Sequence, residues 1–328
     1  MKPSTSRTLF SDAVPVFMKS FGKDNLDKIF YVIWREKSHA GLFSNVFHVL
    51  THLGYAKDLG LTPVVDMENF ATLYNEPEPV GGSKNAWEYY FLQPSPFSLK
   101  DVYRSKRVIF SYGSNNSAFG AYYDFPRSQK LAGQFLQIRP EIMALADTFA
   151  QEHFQGETLG VHIRGQEMKT APGHPVPPSI DEMLARAESM QQRHPIAKIF
   201  VVSEEQAYID AFHRRFGGKA VSSEAFRTYD TNAYTLAEYP RPLHMYRLGR
   251  ELMLDALLLS RCDYLLAGGM GGLAFGSGVS MMAQLLNRNR YKQVELVYNG
   301  INGGASGQQA FTEFVENFFP NGNYRPQI

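Results

Sequence analysis

Residues 159–165 read Leu-Gly-Val-His-Ile-Arg-Gly, a run built like a buried strand that ends in a histidine, an arginine and a glycine. Short apolar runs of this kind are typical of strands that are covered on both faces of a parallel sheet. Parallel α/β sheets bind ligands outside the carboxyl ends of their strands, and arginine holds phosphate oxygens through a planar, permanently charged fork. We therefore expect a diphosphate at Arg164.

The chain that surrounds this run alternates between strands and helices. Strands are predicted at residues 158–163, 198–203, 220–222 and 264–267, and helices at residues 179–194, 204–216 and 248–261, with one more helix after the last strand. Ser179 and Glu182 have the spacing of a capping box, and Gly217 is a typical helix stop. This alternation implies a parallel sheet with helices on both faces.

The first half of the chain has a similar pattern with longer connections. Strands are predicted at residues 29–34, 61–66 and 107–111, a loop at 39–45 and a helix at 139–154; Ser44 or Asn45 could cap a helix that follows the loop. The long connections suggest that this half binds an acceptor molecule. We place the domain boundary near residue 155, which gives domains 1–155 and 156–328, and expect a tail helix at 311–319 to pack back on the first domain.

Composition limits the classes of protein to consider. The 328 residues are 44% hydrophobic, and 33 basic residues face 32 acidic ones, so no overall field would attract nucleic acid or an anionic membrane. Cys262 is the only cysteine, which excludes an intrachain disulfide and suits a reducing compartment. Without a signal peptide or an apolar span, we expect a cytoplasmic protein with at most peripheral membrane contact.

Residues 252–259 (LMLDALLL) are apolar around the whole helix except at Asp255. Burying a carboxylate costs on the order of several kcal/mol unless it is paired. One interpretation is structural: an ion pair with Arg247, Arg250 or Arg261, or exposure of that face of the helix. The other is a ligand contact, since a carboxylate can accept two N–H bonds from one edge of guanine.

Three segments together resemble the motifs of GDP-fucose-dependent fucosyltransferases, which include core, nodulation and protein O-fucosyltransferases. They are the strand end HIRG at 162–165, the acidic pair in VVSEE at 201–205, and LD followed by LSRCDYL at 254–265. The resemblance implies a GT-B-like α/β fold of two Rossmann-like domains whose parallel sheets face a cleft. It also implies that Arg164 holds the β-phosphate of GDP, His162 lies beside the guanosine and Asp255 reads the guanine edge.

The resemblance extends to the loop at residues 41–45. In related O-fucosyltransferases an asparagine of a glycine-rich loop faces the donor sugar and phosphate, and Asn45 matches it. The alternative for Asn45 is a plain helix cap.

A glycine run at 268–272 follows the strand predicted at 264–267. Backbone N–H groups of Gly269, Gly271 and Gly272 could approach a phosphate, where relatives often have serines. The same run, with Glu295 in a later strand, could also be a dinucleotide fingerprint. His48 and His52 have an HxxxH spacing but lack the glutamate and third ligand of a zinc site, so we interpret them as structural.

The function that the resemblance implies is inverting, metal-independent transfer of fucose from GDP-fucose to a hydroxyl of a glycan or glycoconjugate. Arg164 would stabilise the leaving diphosphate without a divalent cation. Glu167 and His174 are candidates for the general base, with Glu36 and His39 as further ones. No cofactor is expected.

Three points of this functional interpretation stay open. The protein could use another sugar nucleotide, or it could be a catalytically silent binding module. Trp87 and the run at 89–91 could stack on an acceptor sugar, although core packing is the commoner role of such residues.

Overall fold

The computed structural model describes residues 18–36, 40–111, 125–165, 175–229, 241–268 and 277–300. The chain divides into two compact units, residues 1–122 with 130–139 and residues 123–129 with 140–328. The division at residue 140 precedes the boundary that we predicted near 155. The helix that begins there packs on a helix of the second unit.

The first unit is built on a four-stranded sheet. Its elements are β1 (Met18–Lys19), β2 (Phe30–Ile33), α1 (Leu42–Asp58), β3 (Thr62–Val65), a 3₁₀ turn (Ala86–Tyr89), α2 (Leu99–Val102) and β4 (Val108–Phe110). The strand order is β1-β4-β2-β3, with β2 parallel to both β3 and β4 and β1 antiparallel at the edge. All four residues of β2 are buried. The three predicted strands are present, and β1 is an addition.

Helix α1 begins earlier than the sequence pattern indicated. We predicted a loop at 39–45, and this is wrong from Leu42 onward, because the helix begins there with Gly41 as its N-cap. Gly41 has no side chain to cap this end of the helix. The hydroxyl oxygen of Tyr74 accepts a hydrogen bond from the Leu42 N–H at 3.0 Å and satisfies one end of the helix. Asn45 lies inside the first turn, where its N–H donates to Gly41 O, so its interpretation as a cap is also wrong.

The second unit contains a five-stranded parallel sheet. Helix α3 (Phe125–Phe135) has residues in both units, because residues 125–129 belong to the second unit and residues 130–135 to the first. The other elements of the second unit are α4 (Pro140–His153), β5 (Glu157–Ile163), α5 (Ile180–Arg193), β6 (Ile196–Ser203), α6 (Gln206–Phe216), a 3₁₀ turn (Gly217–Lys219), β7 (Ala220–Val221), α7 (His244–Arg261), β8 (Tyr264–Gly268), α8 (Gly278–Asn287) and β9 (Gln293–Val297). The strand order is β7-β6-β5-β8-β9. The predicted alternation is confirmed, although α7 starts at His244 rather than 248.

Local signals explain where these elements begin, end and pack. The Ser179 hydroxyl accepts the Glu182 N–H at 3.1 Å, and Gly217 ends α6 with a φ of 54°. A side chain at Gly160 would come within 2.9 Å of Leu259, so the glycine lets α7 lie directly against β5. Among the described residues, no helix has the length and apolar content of a membrane span.

Candidate functional site

The order of the second sheet places a crevice at the carboxyl end of β5. From β5 the chain moves outward to β6 and β7, then returns to the other side of β5 with β8 and β9. Ligands of open α/β sheets bind at such a reversal point, outside the carboxyl ends of the strands. Arg164 and Gly165 follow β5 directly, and Gly268 ends the neighbouring strand β8.

Arg164 is held by the residue that follows β6. Its Nη1 lies 3.3 Å from Oε1 of Glu204, and its side chain is 25% exposed. The same Glu204 oxygen accepts the Gly165 N–H at 2.7 Å. One carboxylate thus orients both the guanidinium and the backbone of the turn, while a quarter of the Arg164 side chain stays exposed. Glu204 belongs to the acidic pair that marked the motif, but its contacts could not be read from the sequence.

Gly165 lies directly against the buried side chain of Glu205. A Cβ at position 165 would overlap the Glu205 side chain, which is buried beneath the turn. The glycine of the HIRG run therefore lets the turn after β5 lie directly on the start of α6. This packing fixes where the Arg164 backbone leaves the sheet.

His162 lies one residue before the end of β5 and is 1% exposed. Burial and, secondarily, the Arg164 charge lower the pKa of His162 from 6.5 to about 3, so the ring is neutral at ordinary pH. Its Nε2 is 3.5 Å from Oγ of Ser277, the residue that precedes α8. Its Nδ1 is buried and has no hydrogen-bond partner within the described residues. An unpartnered polar atom beside the crevice is a group that a ligand could satisfy.

Asp255 lies in the middle of α7 and is 4% exposed. The Ser223 hydroxyl donates to its Oδ1 at 2.5 Å. Burial raises the pKa of Asp255 from 3.8 to about 6, against the opposing effects of the nearby Arg227 charge and the Ser223 hydrogen bond. The carboxylate is therefore costly to keep ionised at neutral pH.

The ion pairs that we considered for Asp255 are not formed in the described part of the chain. Arg261 pairs with Asp147 at 2.5 Å, and Arg250 lies over the ring of Tyr246 at 5.7 Å. Arg247 makes no ion pair with Asp255 either. The interpretation that an ion pair within the same helix compensates the burial of Asp255 is thus wrong, and so is exposure of that face, because Asp255 is buried.

Arg227 organises the loop that presents Ser223 to Asp255, and sequence reasoning missed both residues. Its guanidinium donates to the carbonyls of Ser203, Ser223 and Ala225 at 3.1, 2.7 and 2.8 Å. It also donates to Oγ of Ser223 at 3.1 Å. Since that oxygen accepts from Arg227, the Ser223 proton is directed to the carboxylate.

In the first unit, Asn45 is buried and oriented by Arg35. Nη1 of Arg35 donates to Oδ1 of Asn45 at 2.9 Å and to Oγ of Ser44 at 3.1 Å. Nδ2 of Asn45 is buried, and no described residue accepts from it. Arg35 follows β2 much as Arg164 follows β5, a signal that could have identified it.

Several predicted site residues lie outside the described residues. They are Glu167, His174, Gly269, Gly271, Gly272, the further base candidate His39 and the tail helix at 311–319. Glu36 is described and exposed. Gly268 is described too: a Cβ there would come within 2.5 Å of the Pro178 ring, so this glycine serves packing.

The dinucleotide interpretation requires an acidic residue that binds the ribose, and Glu295 does not fit this role. Glu295 is buried in β9 and pairs with Arg186 and Arg193, each at 3.2 Å, so it is not available to a ribose.

The structural interpretation of the two HxxxH histidines is supported. Nε2 of His48 lies 2.8 Å from the Trp34 carbonyl, and Nδ1 of His52 lies 2.8 Å from the Tyr31 hydroxyl. In the residues described here, no group of three or more His, Cys, Asp or Glu is placed to hold a metal.

The aromatic residues considered for acceptor stacking belong to the core of the first unit. Trp87, Tyr89, Tyr90 and Phe91 are all buried, and the rings of Trp87 and Phe91 stack at 4.4 Å. Core packing, the commoner of the two roles, is confirmed for them.

Comparison with solved structures identifies the fold. Selenomethionine fucosyltransferase NodZ from Bradyrhizobium matches with a TM-score of 0.50 at 16% identity, over 85% of this chain and 98% of that chain. The chain has the fold of a fucosyltransferase. The expected GT-B-like α/β fold is thereby confirmed, and at this identity the similarity establishes the fold alone.

Two further structures have slightly lower scores. NodZ alpha-1,6-fucosyltransferase soaked with GDP-fucose gives 0.49 at 17% identity, over 81% of this chain and 94% of that chain. POFUT1 in complex with GDP gives 0.49 at 13% identity, over 83% and 99%. No family model matches the chain, and no curated protein matches it in sequence.

Proposed function

We propose that this protein is a glycosyltransferase that moves fucose from GDP-fucose to a hydroxyl of a glycan or glycoconjugate, with inversion and without a metal ion. The observation that carries the proposal is Arg164, a partly exposed side chain whose guanidinium Glu204 holds at the reversal point of a parallel sheet. The fold similarity to a fucosyltransferase and the three sequence motifs support the same function.

The second unit would bind GDP. Arg164 would take the β-phosphate through its planar fork, and the ring of His162 would lie beside the guanosine. Asp255 would accept N–H bonds from guanine. Because Oδ1 of Asp255 already accepts from Ser223, recognition through both oxygens would require Oδ1 to accept a second bond, which a carboxylate oxygen can do.

In the reaction, an acceptor hydroxyl oxygen forms a bond to the anomeric carbon of fucose from the face opposite GDP. The bond from that carbon to the β-phosphate oxygen breaks, and GDP leaves with the electron pair. The acceptor proton passes to a general base, for which we propose Glu167 or His174, with Glu36 and His39 as alternatives. Arg164 stabilises the charge that develops on the leaving diphosphate, which is the role that a divalent cation would otherwise fill.

By the resemblance to related O-fucosyltransferases, Asn45 is a further candidate for a donor contact, and the long loops of the first unit are candidates for acceptor binding. The experiment that tests the function measures GDP release from GDP-fucose in the presence of candidate glycans, with EDTA and with added Mg²⁺ or Mn²⁺. We expect release that EDTA leaves unchanged. If the protein turned over another sugar nucleotide and not GDP-fucose, GDP-fucose would be ruled out as the donor. If EDTA abolished the activity and an added metal restored it, metal independence would be ruled out.

A further inference from the structure

Three large hydrophobic side chains that the fold leaves exposed lie within nine residues of one another. Met18 is 53% exposed, Phe21 is 42% exposed and Leu26 is 60% exposed. A single exposed hydrophobic residue is common on a protein surface, whereas several together with polar neighbours mark a place of contact with a partner or a membrane. The packing of the first unit does not explain this segment.

The exposed segment forms one surface with the residues that lead into β4. The Phe21 N–H donates to the Ser105 carbonyl at 3.0 Å, and further backbone hydrogen bonds join residues 18–28 to residues 100–107. We call the exposed side of these two segments the amino-end surface, because they precede the parallel strands β2 and β4. Ligands of parallel sheets bind at the carboxyl ends of the strands, so this surface lies at the opposite edge of the first sheet.

Leu26 is held in a tight turn on the amino-end surface. The Lys28 N–H donates to the Asn25 carbonyl at 3.1 Å, and the Asn25 side chain donates to Oγ of Ser105 at 2.9 Å. Turns of this kind favour small and polar residues, so the turn itself gives no reason for a leucine. The backbone is thus tied to the body of the unit, while the apolar side chain meets solvent.

The amino-end surface is also strongly basic. Its two segments contain seven basic residues and three acidic ones, whereas the whole chain has 33 against 32. The basic residues are Lys19, Lys23, Lys28, Lys100, Arg104, Lys106 and Arg107. Lys23, Lys100 and Lys106 are exposed and form no ion pair with any described residue. The positive charge of the protein is therefore local, and it surrounds exposed apolar side chains.

We infer that the amino-end surface binds a membrane that contains anionic phospholipids. Lysine and arginine side chains are attracted by the negative potential of such a membrane. Apolar side chains among them enter the boundary between the headgroups and the acyl chains, which is the environment that suits Phe21 and Leu26. This inference does not rest on the proposed function, because membrane binding is measured without a nucleotide.

Two other occupants fit the observations less well. A soluble polyanion would pair with the basic side chains and leave Leu26 in water. A second copy of the chain that paired with the open edge of the first sheet would find only the two residues of β1 there. Only a membrane uses both the charge and the apolar side chains.

The role of the charges is tested by sedimentation of the full-length protein with phosphatidylcholine vesicles, with and without about 30 mol% phosphatidylserine. We expect binding only to the anionic vesicles, and less of it at raised salt, because salt screens the attraction. Lys23→Glu/Lys106→Glu should weaken binding roughly tenfold or more. Lys84→Glu/Lys130→Glu makes the same change in net charge at exposed lysines elsewhere and should bind like the wild type. Equal losses in the two folded variants would overturn the inference.

The role of the apolar side chains is tested with a fluorophore whose emission depends on its surroundings. Cys262, the only cysteine, is buried, so the label attaches selectively to the cysteine of a Leu26→Cys variant. We expect a blue-shifted and brighter emission when anionic vesicles are added. Leu145→Cys, at an exposed leucine of α4, is the matched control and should show no change.

Three results would overturn the inference. The first is a wild-type protein that does not bind the anionic vesicles. The second is retention on heparin without vesicle binding, which would assign the surface to a soluble polyanion. The third is a blue shift of the label at position 26 that depends on protein concentration and not on vesicles, which would assign the surface to a second copy of the chain.

Discussion

Asp255 is kept in the fold at an energetic cost. A carboxyl group whose pKa rises from 3.8 to about 6 on folding lowers the stability of the ionised protein by on the order of 3 kcal/mol. Its described hydrogen-bond donor is a neutral hydroxyl rather than a salt-bridge partner. Groups that are destabilising in this way are concentrated at functional sites.

Replacing Asp255 by Asn should therefore stabilise the protein in a pH-dependent way. The folded pKa is the higher one, so the wild type loses stability as the pH rises from about 4 to about 6, and the variant does not. We expect equal melting temperatures near pH 4 and a variant that is more stable by about 1–3 kcal/mol above pH 6. Thermal melts across this range measure the difference.

Asp210→Asn serves as the control for that experiment. Hydrogen bonds from Gln206 and Tyr229 lower the pKa of this partly exposed carboxyl, so its replacement should not raise stability above pH 4. A difference in melting temperature between wild type and Asp255→Asn that does not change with pH would show that ionisation of Asp255 does not destabilise the fold. In binding, Asp255→Asn should also lose the preference for guanine.

Arg164 and Glu204 should affect GDP binding to different extents. Removing the phosphate contact in Arg164→Ala costs on the order of 1.5–3 kcal/mol, or roughly tenfold to hundredfold in affinity. Glu204→Ala leaves the cation but releases its orientation and the Gly165 N–H, and we expect about fivefold weaker binding. Titration calorimetry with GDP compares the two. Tighter binding by Glu204→Ala would mean that Glu204 competes with the phosphate and does not position Arg164.

At the scale of elements, the turn after β5 depends on a close approach between β5 and the start of α6. Gly165→Ala would force a methyl group into the Glu205 side chain, and overpacking of this kind costs about 1–3 kcal/mol. We expect a lower melting temperature together with weaker GDP binding, because the Arg164 backbone moves with the turn.

Gly218→Ala is the matched control for the glycine substitution. No atom lies within 4 Å of a Cβ at that position, so the change should stay within about 0.5 kcal/mol. If Gly165→Ala melts like Gly218→Ala and binds GDP normally, the packing of Glu205 does not fix the turn.

The order of elements could be predicted from the sequence, and the errors have local causes. Strands such as β5 and β6 are apolar runs with clear flanking signals, and their predicted ends lie within two residues of the observed ends. The start of α1 was misplaced because Ser44 and Asn45 look like caps, whereas the first N–H is satisfied by Tyr74, a residue of a distant loop. A contact across 32 positions is invisible to a local pattern.

At the scale of the whole molecule, the positions of Arg164 and His162 at a strand end were predictable, whereas the contacts of the candidate residues were not. Arg164 and His162 stand at the end of an apolar run, which is a signal in the sequence. Ser223 reaches Asp255 from 32 residues away, and only the fold brings them together. Arg35 has the same sequence signal as Arg164, but its burial and its amide partner depend on the packing of α1 against β2.

We propose that the second unit is a guanine nucleotide site centred on Arg164. The most direct test is titration calorimetry of the purified protein with GDP, UDP, ADP and NAD, with chelator present throughout, repeated on Arg164→Ala. We expect GDP to bind most tightly, and its affinity to fall at least tenfold in the variant. Preference for another nucleotide, or GDP affinity that is unchanged without Arg164, would contradict the account.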